Sequence, residues 1–405
     1  MLVLDATAVL AIGATALQLG TLNAAGTISF LLLGIPIGVL IDRHDARLAM
    51  IIAGTVRSIM YALLALVFAR GYYSFGLLAL VTLLAGILGA ISEAGQTVWA
   101  AKVAPKSGVG ALVAKMYAAD NVVRLTVPAV AGLMLGIFAP HWMIAASAAI
   151  STLAALALCR FPFAKREKRF RFAARTIVKP RPESADPVSE LAPEQPVSPA
   201  SNTAKSKITK YLTEVKIGFA AFLDNPLLRR LTIAVTLTNF SLAAFSAVDS
   251  ILSLRILGMD MTQFGFMMTF GAAAGIIGSL LADRVTKLRP RAWVVSFCVS
   301  GRALMLTLPL SAIAFPEIGF WLMGAFSFGW GLFATIENIN VAAITAAAVP
   351  KEVLGRVSSF KSLLTFGLPV PIGSMLGGLI ATAFSVRTLI VITLLITISG
   401  AIVAA

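Results

Sequence analysis

The chain has 405 residues, of which 59% are hydrophobic and 13% charged, with a formal net charge of +15. Soluble domains run near about 45–50% apolar and about 25% charged. The composition therefore excludes a cytosolic enzyme, a secreted disulfide scaffold and a disordered regulator, and points to lipid as the solvent.

Apolar runs fall near 1–14, 20–41, 48–69, 74–100, 111–138 and 142–160, and again near 229–257, 263–282, 292–314, 318–348, 358–383 and 386–405. About 20 apolar residues cross a bilayer, so the pattern predicts an all-α polytopic membrane protein with twelve transmembrane helices in two sixes. The first run, Met1 to Ala14, would span only about 21 Å of the roughly 30 Å of hydrocarbon, so the first helix is expected to be incomplete. It lacks a positive flank, which argues against a cleaved signal peptide. Domains are expected at 1–160 and 229–405, six helices each.

Between them, 161–207 begins with a stretch of eight basic residues and one acid, KREKRFRFAARTIVKPR, and continues rich in Pro, Ser, Ala and Glu. A disordered cytoplasmic linker is expected there, followed over 208–228 by an amphipathic helix on the membrane surface. Basic residues at 42–47, 102–106, 284–291 and 351–356 fall on the linker's side, and the opposite loops carry almost none. The excess of Lys and Arg places that side in the cytoplasm, with the chain multi-pass in the inner (plasma) membrane. The net charge is thus read as topology, and no nucleic-acid partner is expected. Cys159 and Cys298 lie in apolar runs and read as small buried hydrophobes. With His44 and His141 at helix ends, no metal site is expected.

The two halves repeat one pattern. Gly20 and Gly265 are 245 residues apart, as are Arg57 and Arg302, Pro105 and Pro350, and Gly132 and Gly377; Glu93 and Glu337 are 244 apart. Helix ends at Asp42-Arg43 and Asp283-Arg284 repeat 241 apart. Parallel six-helix repeats with the substrate path between them are a transporter architecture.

Gly34-Ile-Pro-Ile-Gly38-Val-Leu-Ile-Asp42-Arg43-His-Asp-Ala-Arg47 resembles the loop between spans two and three of the major facilitator superfamily. Pro350-Lys-Glu-Val-Leu-Gly355-Arg356-Val357 resembles the loop before span eleven in the branch of enterobactin exporters and macrolide efflux proteins. The resemblance covers essentially the whole chain as topology. Asp45 and Ala46 replace the signature's Gly and Arg, and the Gly-Pro motif of antiporters in span five is reduced to Val127-Pro128-Ala129-Val130-Ala131-Gly132.

A charge at mid-bilayer costs about 2.5–3.5 kcal/mol on insertion scales and normally faces a partner or a watery cavity. Arg57, Arg302, Glu93, Glu337, Asp5, Asp249, Asp120 and Arg124 are such residues. Burial in low dielectric favours the neutral form of a carboxylic acid and a nearby arginine favours the charged one, so a poised carboxylate can carry a proton. Asp5 and Glu93 are the first choices, with Asp120, Asp249 and Glu337 as alternatives; the opposing reading of the set is buried pairs that lock helices together. Gly38, Asp42, Arg43, Arg47, Asp283, Arg284 and Arg356 are expected to form a cytoplasmic gate, with Asp42 at the positive N-terminus of span eleven near Ser358. Pro128, Gly132, Pro371 and Gly377 are expected to bend helices or let them approach. Trp99, Tyr117, Phe240, Phe245, Trp330 and Phe333 read either as a pocket wall or as ordinary packing.

No Walker-type Lys loop is present, so ATP does not drive the protein directly and no cofactor is expected. No catalytic constellation rises above background, so the chain is not an enzyme. The expected function is monomeric, proton-coupled efflux of a small amphipathic drug or siderophore. A facilitator or importer, a lysophospholipid flippase of the same fold, and a membrane sensor remain as alternatives.

Overall fold

The computed structural model describes residues 2–43, 45–103, 122–123, 126–128, 130–160, 225–349, 357 and 360–405. All regular structure among these is helical, with no strand. α1 (Leu2–Thr7) continues into a π-helical turn, Ala8–Ile12. α2 (Ala16–Arg43), α3 (Ala46–Ala69), α4 (Phe75–Val103), α5 (Thr126–Ile137) and α6 (Pro140–Arg160) complete the part before the linker. After it come α7 (Pro226–Ile251) with a second π-turn at Leu252–Ile256, α8 (Met261–Leu288), α9 (Arg291–Ala314) and α10 (Gly319–Ala348). α11 (Phe360–Ala383) carries a third π-turn at Leu363–Gly367, and α12 is Val386–Ala404. Nine of the described helices, α3, α4 and α6 to α12, are long and apolar enough to cross a membrane. The linker and most of the expected surface helix at 208–228 lie outside the described residues.

Local chemistry sets the helix ends. Asp45 caps α3 by accepting from the backbone N–H of Arg47, and Asn225 caps α7 from the N–H of Leu228 with Pro226 following. Asp260 and Gln263 form a reciprocal capping box on α8. Gly13, Gly71 and Gly258 have φ of 74°, 80° and 64°, the left-handed region where a side chain is strained, and they close the loops after α1, α3 and α7. In α11, Pro369 and Pro371 supply no backbone N–H, and the π-turn ends immediately before them, with Leu368 N–H donating to the carbonyl of Leu363.

Within the membrane, small residues let helices approach where lipid gives no hydrophobic drive. On α3, Ala53, Gly54 and Ser58 are buried, and the Ser58 hydroxyl donates to the carbonyl of Ala148 on α6 at 2.9 Å. Ile52, Val56, Ile59 and Leu63 on the same helix are exposed, as a lipid-facing stripe should be.

α2 packs on α4, and α3 on α4 and α6; α7 packs on α11 and α12, α8 on α10, and α9 on α10. Two glycine contacts join the halves. A side chain at Gly20 of α2 would strike the backbone of Ser374 and Gly378 on α11, and one at Gly132 of α5 would strike Met261 and Gly265 on α8. The glycine repeat thus has a physical origin. α2 and α8 are equivalent helices, as are α5 and α11, so α2 on α11 and α8 on α5 form two copies of one seam. Gly377 itself packs inside the second half, against Ala244 of α7.

Candidate functional site

α1 and α7 meet where the halves face each other, through their two π-turns. Asp5 stands three residues before the first π-turn and Asp249 three before the second. The two carboxylates are thus 244 residues apart, in the same register as Glu93 and Glu337. They stand on the two segments whose π-turns touch between the halves. The Oδ1 atom of each is buried with no hydrogen-bond partner. The Ser253 hydroxyl, four residues after Asp249, lies 3.7 Å from the sulfur of Met267. Both side chains of the acid pair are half-buried, and like charges near one another in a low-dielectric medium are costly unless a proton or cation joins them.

Around this point the halves are stitched by polar contacts. Asn23 on α2 donates through Nδ2 to the carbonyl of Ser246 on α7 at 3.2 Å, and the N–H of Leu17 donates to Thr382 Oγ1 on α11 at 2.9 Å. Arg255, in the second π-turn, donates from Nη1 to the carbonyl of Ala14 at 2.9 Å and from Nη2 to that of Val9. Sequence reasoning passed over Arg255. Its signal was an arginine three residues before Gly258, on the side where positive charge is otherwise scarce.

The second mid-membrane cluster lies inside the second half. Arg302 on α9 donates from Nη1 to Glu337 Oε2 on α10 at 2.9 Å, with the two side chains 2% and 0% exposed. Its Nη2 reaches Asn239 Oδ1 on α7 at 3.4 Å, and its guanidinium carbon lies 4.2 Å from the ring centre of Trp330. Asn239 donates in turn to the carbonyl of Thr365 in the third π-turn at 2.8 Å. One guanidinium therefore ties α7, α9 and α10 together and reaches α11 through Asn239. Asn239, like Lys361, which donates to Thr345 Oγ1 at 2.9 Å, was not anticipated. Glu337 Oε1, Arg302 Nε and Trp330 Nε1 are buried without partners.

The first half does not repeat this pair. Glu93 is exposed on α4, Arg57 is half-buried on α3, and no ion pair joins them among the described residues. Arg47 is fully buried; its Nε donates to the carbonyl of Leu158 at 2.8 Å and its Nη2 to that of Cys159 at 2.9 Å, the last turn of α6. It caps a helix in its own half in this conformation. Asp283 and Arg284 are exposed near the end of α8. Gly38, Asp42 and Arg43 lie on α2, but the side chains of Asp42 and Arg43 are outside the described residues, as are Asp120, Arg124, Arg356, Ser358 and Tyr117. Of the cysteines, Cys298 is buried as expected, while Cys159 is exposed because it sits on the last turn of α6. Phe245, Phe326 and Trp330 form one aromatic chain between α7 and α10, with ring centres 5.0 and 5.7 Å apart. Among the described residues no group of three or more His, Cys, Asp or Glu is arranged to hold a metal ion.

Three comparisons bear on this arrangement. The chain is 30% identical over 156 residues to human solute carrier family 67 member A1, a match covering 37% of this chain and 35% of that protein. It thus spans about a third of the length of that curated relative. Among solved structures, the nucleoside transporter NupG superposes with a TM-score of 0.73 at 14% identity, covering 100% of this chain and 93% of NupG. A bacterial homologue of the iron transporter ferroportin in an inward-facing state gives 0.69 at 15% identity, covering 100% and 93%. A bacterial homologue of the human lysosomal transporter Spinster, inward-facing and unoccupied, gives 0.62 at 16%, again covering 100% and 93%. At these identities the likeness is one of fold. The Major Facilitator Superfamily profile matches residues 1–363, most of the chain and both sides of the linker, and with the helical halves meeting at paired seams it places this multi-pass membrane transporter, which is not an enzyme, in the Major Facilitator Superfamily.

Proposed function

We propose that the chain exports a small amphipathic compound, a drug or siderophore, against an inward flow of protons, as a monomer working by alternating access. The reading places it in the branch of enterobactin exporters and macrolide efflux proteins and puts the linker in the cytoplasm. The carrying observation is that Asp5 and Asp249 stand on the two segments whose π-turns touch between the halves, each with a buried oxygen that no partner satisfies.

A proton taken up by the pair relieves the repulsion across the seam and favours the state in which the halves are packed there. Release of that proton restores the repulsion and favours the state in which they part. Coupling requires only that the pair be reached from opposite sides in the two states. Glu93, exposed on α4, supplies a second acid on a different helix. The aromatic chain of Phe245, Phe326 and Trp330 supports a substrate with an apolar face. The crowding of basic residues at one end of the helices supports a cytoplasmic linker.

The test measures accumulation of fluorescent cationic dyes and of a catecholate siderophore in cells that make the protein, with and without a protonophore. Lowered accumulation that the protonophore abolishes, and that Asp5→Asn or Asp249→Asn also abolishes, is the expected result. Export that persists unchanged in both variants removes the proton-coupled reading.

A further inference from the structure

In the π-turn after α1 the N–H groups of Gly13 and Ala14 both reach back to the carbonyl of Ala8. Gly13 turns the chain there through left-handed backbone. The carbonyl of Val9 meets the guanidinium of Arg255 from the opposite half, which also takes the carbonyl of Ala14. Arg255 is exposed and near a helix end, so water is within its reach. A guanidinium so placed normally points to solvent, yet this one spans the seam and binds two carbonyls of a single turn. The device is one-sided: with the halves in register by 244 residues, the position matching Arg255 is Ala11, which has no donor to return. Arg255 lies six residues after Asp249, and Val9 four after Asp5, on the two segments that carry the carboxylate pair.

We propose that Arg255 is the latch of the gate at the end of the molecule formed by Gly13, Gly71 and Gly258, holding the halves closed there by docking into the π-turn of α1. Opening that end requires both hydrogen bonds to break and the guanidinium to pass to water. Two charge-assisted bonds are lost in that step and are only partly replaced, so the arginine biases the equilibrium toward the closed gate. The proposal rests on the alternating-access part of the proposed function and not on the proton as coupling ion.

The experiment uses the full chain in lipid nanodiscs with Cys159→Ala and Cys298→Ala, and spin labels in two pairs. One pair replaces Tyr72 and Phe315, both exposed at the latch end, and the other replaces Leu48 and Leu288, both exposed at the opposite end. Pulsed electron paramagnetic resonance reads the distance distribution of each. Arg255→Ala is expected to raise the ratio of long to short distances for the first pair by about tenfold and to shift the second pair toward shorter distances. Arg255→Lys keeps the charge but offers one nitrogen in place of two, and is expected to fall between; it carries the test if the alanine variant does not purify. Distributions unchanged at both ends in either variant overturn the latch. A residue that merely stabilised the fold would broaden both pairs and would not move them in opposite directions. Asp5→Asn and Asp249→Asn that both export normally would defeat the proton-coupled reading and leave the distance change at Arg255 standing.

Discussion

Arg302 and Glu337 are bonded at 2.9 Å in the interior of the second half, whereas Arg57 and Glu93, which repeat them in the first half, are not paired. The same two residue types at the same spacing therefore do different work. In the second half the pair is closed off, with Asn239 and Trp330 completing the surroundings of the guanidinium. Breaking it from one side leaves an uncompensated charge. Glu337→Gln or Arg302→Gln is expected to cost about 3–5 kcal/mol, while the apolar double variant Arg302→Met with Glu337→Leu should recover most of that loss. Thermal unfolding in detergent measures it. Arg57→Gln and Glu93→Gln should move the midpoint little, since neither leaves a buried partner behind.

The two seams make a second prediction. Gly20→Val and Gly265→Val each put a side chain into the backbone of the opposing helix. Overpacking of this kind costs about 1–3 kcal/mol, and here it falls on the packed state of the seam rather than on either half. Transport should fall while each half keeps its fold, read as a lower export rate with helical content unchanged by circular dichroism. Gly89→Ala, where an added methyl meets nothing within 4 Å, is the matched control and should export normally.

For Arg47 the expected role and the observed contacts lead to different outcomes. As the cap of α6 it holds two carbonyls at the end of that helix, where a positive charge is also favoured by the helix dipole. Hydrogen bonds from charged groups are worth about 1.5–3 kcal/mol each, so Arg47→Met should lower the unfolding midpoint clearly, and Arg47→Lys should restore part of it. A residue serving only as a gate would instead change export with no loss of stability.

The direction of coupling can be read from imposed gradients in proteoliposomes. Proton uptake at the acid face drives a proton-coupled exporter, so substrate should move toward the acidic compartment, and inverting the gradient should invert the flux. With Asp5→Asn or Asp249→Asn the dependence on the gradient should flatten, leaving at most downhill exchange. Flux that ignores the gradient in the parent protein would point to a facilitator.

Much of the architecture was legible in the residues themselves. Runs of apolar side chains long enough for a bilayer, interrupted by charge, Gly and Pro, gave the helices and their order, because in lipid every backbone polar group must be satisfied within its own helix. The repeat of glycines, arginines and glutamates showed that the two halves share one plan. Cap residues such as Asp45, Asn225 and Asp260 marked helix starts through purely local chemistry.

Which charges meet was decided only by tertiary structure. Spacing gave Arg57 and Glu93 the same standing as Arg302 and Glu337, yet one set is buried and paired while the other is left apart. Asp5 and Asp249 read as separate acids until α1 and α7 were brought together. Arg255 had no visible task until the π-turn of α1 was placed against it, presenting the carbonyls of Val9 and Ala14. Sequence determines what each helix can bury and where it ends, since those are properties of a single segment in its solvent. Contacts across the seam depend on the rotation and depth of two helices at once, and those are set by the packing of all their neighbours.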